Sequence, residues 1–190
     1  MDDNKKKIAF IINPISGTQG KEHILKWLDE KLDKNRYMPE VIYTEWAGHA
    51  VEIAARKAKE EVFAVVAIGG DGTINEIARS LVHTKTALGI IPCGSGNGLA
   101  RHLQIPMEAK KAIDIINEGL IDIIDYGKIN DVPFFCTCGV GFDAFVSLQF
   151  SKAGRRGPLI YLEKTLLESL KYKPETYELE MDGSTSRYKA

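Results

Sequence analysis

Val62-Phe-Ala-Val-Val-Ala-Ile68 runs directly into Gly69-Gly70-Asp71-Gly72-Thr73-Ile74-Asn75-Glu76. Seven apolar residues are too few for a buried helix and read as a strand covered on both faces. The glycines that follow release the backbone into conformations that a side chain forbids. Beyond them, Ile74, Ile77, Ala78 and Leu81 share one face of an amphipathic helix. A glycine turn between a buried strand and a helix N-terminus presents unpaired amides and a positive dipole end. A phosphate is held in such a place. Asp71 would repel it, and is better suited to a metal ion or to taking a proton from an attacking hydroxyl.

Working outward, the same pattern recurs. Ile8-Ala-Phe-Ile-Ile12 is a short apolar strand broken by Asn13-Pro14-Ile15-Ser16-Gly17, and Gly20 to Lys34 reads as a helix. Val41-Ile-Tyr43 is a second strand ending in Thr44-Glu45, and His49 to Glu60 is helical, with Ala50, Ile53, Ala54 and Lys57 in one stripe. Leu88-Gly-Ile-Ile91 is a fourth strand, closed by Pro92-Cys-Gly94-Ser95-Gly96-Asn97-Gly98. Strands alternating with helices predict an α/β fold, a mostly parallel sheet flanked by helices. Its carboxyl edge would gather the turns at Asn13, Thr44, Gly69 to Gly72 and Gly94 to Asn97 into one site.

Past Gly98 the pattern changes. Met107 to Glu118 reads as a helix, then Leu120 to Tyr126 with Lys128 to Asn130 as a strand. Pro133 to Cys138 reads as its hairpin partner across an Asn130-Asp131 turn. A helix follows from Ala144 to about Lys152, and another runs through Tyr161, Leu166 and Leu170. Tyr177 to Met181 alternates as a strand before an Asp182-Gly183 turn. We therefore expect an α/β domain over residues 1–119 and an incomplete β-rich domain over 120–190. The chain stops at Ala190 before a return strand is expected to pair fully, which makes it read as a fragment.

Bulk properties exclude several classes. In 190 residues, 44% are hydrophobic and 27% charged, as in a soluble globular protein. A net charge of −1 leaves no electrostatic footprint for nucleic acid. No apolar run approaches the ~20 residues of a transmembrane helix, and the N-terminal apolar run is too short for a signal peptide. Cys93, Cys136 and Cys138 are too few and scattered for a disulfide framework or a zinc site, and favour a reduced cytoplasmic setting. No Walker A loop is present. Gly94-Ser-Gly-Asn-Gly98 misplaces the third glycine of a dinucleotide fingerprint.

In combination, the motifs resemble a known family. Asn13-Pro14-x-Ser16-Gly17, Thr44 with Gly48-His49-Ala50, Gly69 to Glu76, and Ile91-Pro-x-Gly-Ser-Gly-Asn97 occur in the order and spacing of the diacylglycerol kinase catalytic-domain family. That family includes bacterial lipid kinases and is similar to sphingosine and ceramide kinases. Asp125-x-Gly127 and Gly139-x-Gly-Phe-Asp143 extend the likeness to about residue 145.

The resemblance implies a two-domain, ATP-dependent, Mg²⁺-using lipid kinase acting on diacylglycerol or a sphingoid or ceramide-like lipid, with residues 1–119 as its nucleotide-binding domain and 120–190 as an incomplete acceptor domain. It would be cytoplasmic and associate peripherally with a membrane surface. Asn13, Pro14, Ser16 and Gly17 would contact nucleotide, Thr44 its sugar or phosphates, and Gly69, Gly70, Gly72, Thr73, Asn75 and Glu76 the triphosphate. Gly94, Ser95 and Asn97 would complete the nucleotide site, with Arg155 and Arg156 on phosphate. Asp71 would be the catalytic carboxylate and a metal ligand, Asp125 a second metal ligand, and Asp143 the residue meeting the lipid head group. Gly98 departs from bacterial relatives that carry Asp there in a metal network. An NAD kinase-like phosphotransferase and a non-catalytic nucleotide-binding module are the alternatives. The 190-residue fragment is expected to be inactive, with open strand edges pairing into a homodimer.

Overall fold

The computed structural model describes residues 5–15, 21–152 and 172–190. Ser16, Gly17, Arg155, Arg156 and the helix expected through Tyr161 to Leu170 lie outside the described residues. The remainder divides into two compact units, 1–136 and 137–190.

The first unit is built on four parallel strands: β1 (Lys6–Ile12), β2 (Tyr37–Tyr43), β3 (Ala64–Gly69) and β4 (Ala87–Pro92), in the order β2-β1-β3-β4. This is the expected parallel sheet. Every residue of β3 is buried, as its unbroken apolar run requires. Alternate residues of β1 feed opposite cores. Ile8, Phe10 and Ile12 pack with Ile24 and Leu28 of helix α1 (Glu22–Lys31) and Ile113 of helix α5 (Ala109–Glu118). Ala9 and Ile11 pack with Ile53 of α2 (His49–Lys59) and Ile74 and Ile77 of α3 (Asp71–Leu81). The stripe Ala50, Ile53, Ala54 and Lys57 is buried as its spacing predicts. So is Ile74, Ile77, Ala78 and Leu81.

Several boundaries differ from the sequence reading. Strand β2 begins at Tyr37, four residues before Pro39 would seem to allow at Val41. Pro39 is tolerated because β2 is an edge strand, so a missing N–H costs no ladder bond. A five-residue helix, α4 (Gly98–His102), is present where none was expected. The strand expected over Leu120 to Tyr126 is not formed: only β5 (Gly127–Ile129) pairs, with β6 (Val132–Phe134). The apolar side chains that should have been covered are left outside, with Leu120 82% and Ile123 fully exposed. The Asn130-Asp131 turn is present, both residues having positive φ.

This hairpin belongs to the first unit, which extends beyond the position 119 expected for the nucleotide domain. Arg79 Nε of α3 donates to the Pro133 carbonyl at 3.0 Å, and Tyr126 Oη lies 3.0 Å from His83 Nε2. The second unit holds helix α6 (Phe142–Lys152) and an antiparallel hairpin, β7 (Thr176–Met181) with β8 (Ser184–Lys189). Its return strand is fully paired, from Met181 opposite Ser184 to Thr176 opposite Lys189, contrary to the expectation of a barely begun strand.

Candidate functional site

In the first unit the two layers of helices decide where a ligand fits. β1 leads into α1 on one face of the sheet, whereas β3 leads into α3 on the other. The carboxyl ends of β1 and β3 are neighbours, so the chain parts to opposite faces there and leaves a crevice, the topological switch point of an open α/β sheet. Two side chains span it: Asn13 Nδ2 donates to Thr73 Oγ1 at 3.2 Å. Asn13 Oδ1 also accepts from the Ile15 amide at 3.1 Å, which fixes the turn after β1.

Beside this crevice, the turns after β3 and β4 interlock. Gly70 and Gly94 pass so close that a Cβ on Gly94 would lie 2.6 Å from Gly70 Cα. A Cβ on Gly69 would lie 2.7 Å from that of Thr73. None of Gly69, Gly70, Gly72 and Gly94 has a positive φ, and Gly70 is extended. The sequence reading that these glycines release unusual backbone conformations is therefore corrected: close approach leaves no room for a side chain at Gly69 and Gly94 and crowds one at Gly70. Gly72 alone faces open space, so backbone is accessible at the first turn of α3.

That first turn is the anion-seeking feature. The amides of Asp71, Gly72 and Thr73 precede the first helical hydrogen bond, from Ile74 N–H to the Gly70 carbonyl, and have no acceptor within the helix. They lie at the positive end of an 11-residue helix.

Asp71 is held firmly. Its Oδ2 accepts the Asn97 amide at 2.8 Å and its Oδ1 the Gly98 amide at 2.6 Å. The carboxylate thus caps α4 and ties the turn after β3 to the turn after β4, while one further lone pair on each oxygen remains for another partner. A Cβ on Gly96 would sit 2.7 Å from Asp71 Oδ2. A Cβ on Gly98 would meet Cys136 Sγ at 3.0 Å and Asp71 Oδ1 at 3.7 Å.

The expected site residues fall into two groups. Asp71, Gly70, Gly72, Asn13, Gly94 and Asn97 are brought together at the crevice or its adjoining turns. Within that group Asn97 is turned inward: buried and left-handed, it accepts the Gly94 amide and donates to the Gly94 carbonyl, both at 2.8 Å. Thr73 is likewise buried, against Asn13 and Gly69. These two shape the loops. Thr44 is buried at the end of β2, its amide bonded to the Ile12 carbonyl. Ser95 is exposed in the β4 turn, and Pro14 in the β1 turn. Asn75 and Glu76 are half-buried on α3.

Asp125 is exposed in the irregular stretch before β5. Among the described residues, no group of three or more His, Cys, Asp or Glu side chains is placed to hold a metal ion. Asp143 lies in the first turn of α6, in the second unit.

Two residues near the loops escaped the sequence reading. Arg101 of α4 donates from Nε to the Gly96 carbonyl at 2.9 Å, holding a guanidinium against the β4 turn. Trp46 lies in the turn after β2, between Thr44 and Gly48, where the only signal was a large aromatic inside a polar loop. Burial raises the Cys93 thiol pKa, which leaves it a packing residue at the end of β4. A concavity of about 560 Å³ lined by Lys6, Glu61 and Phe63 opens at the amino ends of β1 and β3, the opposite edge of the sheet from the glycine turns.

The chain is similar to known proteins in both sequence and fold. Residues 7–129 match the sequence profile of the diacylglycerol kinase catalytic domain. The diacylglycerol kinase of Bacillus subtilis strain 168 is 33% identical over 186 residues, 94% of this chain and 60% of that protein. That of Staphylococcus saprophyticus is 35% identical over 132 residues, 68% of this chain and 43% of that protein. A crystal structure of a diacylglycerol kinase from Bacillus anthracis strain Sterne has the same fold, with a TM-score of 0.70 at 24% identity over 97% of this chain and 62% of that one. The chain spans no more than 60% of the length of these two sequence relatives.

Proposed function

Because the chain belongs to the diacylglycerol kinase catalytic-domain family, we propose that it supplies the nucleotide half of an ATP-dependent lipid kinase. The γ-phosphoryl group of ATP passes to the hydroxyl of diacylglycerol or of a sphingoid or ceramide-like lipid. The observation that carries this reading is the interlocked pair of glycine turns beside the switch point, with three amides at the start of α3 that have no acceptor within the helix.

Phosphoryl transfer asks a protein mainly for positioning and charge stabilisation. The amides of Asp71, Gly72 and Thr73 orient the phosphates, and open space at Gly72 lets them approach the backbone. Asn13 closes the β1 side of the crevice. Asp71, fixed in direction by two backbone donors, faces the reacting end with its remaining lone pairs, as proton acceptor for the lipid hydroxyl or as a ligand. The described residues offer Mg²⁺ no all-protein cage, and one oriented carboxylate fits an ion that stays mostly on the phosphates and its own waters. Such an ion would supply neutralisation of phosphate charge. Ser95 and the arginines at 155 and 156 are proposed as further phosphate contacts, Asp143 as a contact to the lipid head group, and Asp125 as a support for the metal.

Since the acceptor lies in a bilayer, the protein meets a membrane surface; no helix among the described residues is long and apolar enough to cross one. The test is phosphate transfer from labelled ATP to a panel of lipids by the complete gene product, with NAD as a control acceptor. Phosphorylated lipid is the expected product. Transfer to NAD alone would establish the NAD kinase-like alternative, and ATP binding without any transfer the non-catalytic one.

A further inference from the structure

The turn after β2 carries an aromatic pair that none of the phosphate-site features requires. Trp46 and His49 stack face to face, their ring centroids 3.7 Å apart and their planes only 5° from parallel. The turn is pinned from within. The Glu45 amide donates to His49 Nδ1 at 3.1 Å, and the His49 amide to the Trp46 carbonyl at 3.3 Å. Gly48, at φ 87°, takes the left-handed conformation that reverses the chain and brings the imidazole against the indole. His49 then covers one face of Trp46, yet the tryptophan is still 53% exposed. A large apolar ring held rigid with a face to solvent gains nothing for the fold. It is preorganised for a flat partner.

Position selects the partner. The turn follows the carboxyl end of β2, on the same edge of the parallel sheet as Asn13 and the two glycine turns. β2 and β3 are separated by β1 alone, so two strand spacings, about 10 Å, part their ends. That is the scale on which an extended nucleoside triphosphate separates its base from its terminal phosphates. Thr44 lies two residues before Trp46, and its amide is bonded to the Ile12 carbonyl at the end of β1, the strand between. Resting on the nucleotide reading above, we propose that Trp46, backed by His49, is the platform on which the purine ring of ATP stacks while its phosphates reach the amides of α3.

Two ligands and two variants test this. Affinities for ATP and for inorganic tripolyphosphate are measured by calorimetry on the wild-type chain, Trp46→Ala and Trp46→Phe. Loss of one base-stacking contact should weaken ATP by roughly 5- to 150-fold in Trp46→Ala. Tripolyphosphate affinity should stay unchanged, and Trp46→Phe should keep most of the ATP affinity. In a Trp27→Phe background, the remaining indole emission should respond to ATP and not to tripolyphosphate. Trp46 is exposed, so the variants should fold normally, which circular dichroism checks.

If the wild type binds ATP and Trp46→Ala binds it equally well, the platform is overturned and the nucleotide site stands. Equal weakening of both ligands also overturns it, because that marks a general disturbance of the loops. Failure of the wild-type chain to bind either ligand would instead overturn the nucleotide reading on which the proposal rests.

Discussion

At the scale of single residues, Asp71 joins an observed structural duty to the chemical one proposed for it. A carboxylate between glycines suggested chemistry, and the structure adds a clamp on the Asn97 and Gly98 amides. Asp71→Asn separates them. The amide oxygen can still accept one N–H, but its NH₂ would face the other, donor against donor. Phosphoryl transfer by the complete gene product should fall at least ~10²-fold with a much smaller change in ATP affinity. Hydrogen exchange at Asn97 or Gly98 should also quicken. Near-normal transfer by this variant would place the chemistry on another residue. Gly94→Ala probes the neighbouring approach. Its methyl would need to displace backbone at Gly70, because the contact at 2.6 Å is with a Cα and has no flexible side chain to yield. Nucleotide binding should be lost while thermal unfolding stays cooperative, since both turns lie at the edge of the sheet. Unchanged ATP affinity in a folded Gly94→Ala protein would mean that the two turns need not touch.

At the scale of elements, legibility followed burial. The strand from Ala64 to Gly69 and the helix from Asp71 to Leu81 were readable because each has one dominant periodicity and a covered surface to match it. The position of the proposed phosphate-binding turn followed from where these two elements join. Tyr37 to Glu40 was hidden because Pro39 argues against a strand until its edge position is known. Gly98 to His102 was hidden because five residues show no period. Leu120 to Tyr126 misled for the opposite reason: a short, mostly apolar run rich in isoleucine reads as a strand, and such a run alone does not supply a pairing partner.

Lys57 shows how one charge can sit in a helix stripe meant for apolar groups. Its Nζ lies 2.7 Å from Glu40 Oε2 and 2.8 Å from Glu60 Oε2. Burial alone would depress its pKa, but the hydrogen bonds to both carboxylates outweigh that and raise it. The Glu60 carboxyl is lowered by the hydrogen bond from Lys57. Linkage then gives opposite signs at the two ends of the pH scale. The Glu60 contribution is present above its unfolded value near ~4.3 and fades as pH falls through its lowered one. The Lys57 contribution is full below ~10.4 and fades as pH rises through its raised one. Lys57→Met should cost about 1–2 kcal/mol at neutral pH, a modest figure because both carboxylates are half-exposed. The deficit, read from urea unfolding, should shrink below pH 4. A constant deficit across that range would mean that packing, and not the ion triad, is what Lys57 contributes.

At the scale of the whole molecule, Leu120, Ile121, Ile123 and Ile124, exposed on either side of Asp122, are a cluster of the kind that marks an interaction surface. We propose that it pairs between copies of the chain, as unprotected edges tend to do. Light scattering behind size exclusion should show concentration-dependent dimers that Ile123→Lys shifts to monomers. Dimers of equal strength in that variant would move the interface elsewhere. The closeness of Gly70 to Gly94 has a further consequence, for anyone recombining this chain with its relatives. Where two backbones touch, a crossover placed between residues 72 and 94 takes its two turns from different parents. Each turn brings its own small differences in path, and no side chain lies between them to absorb the mismatch. Segments 69–72 and 94–98 are therefore inherited as a pair, and functional chimeras should be sought with both drawn from one source.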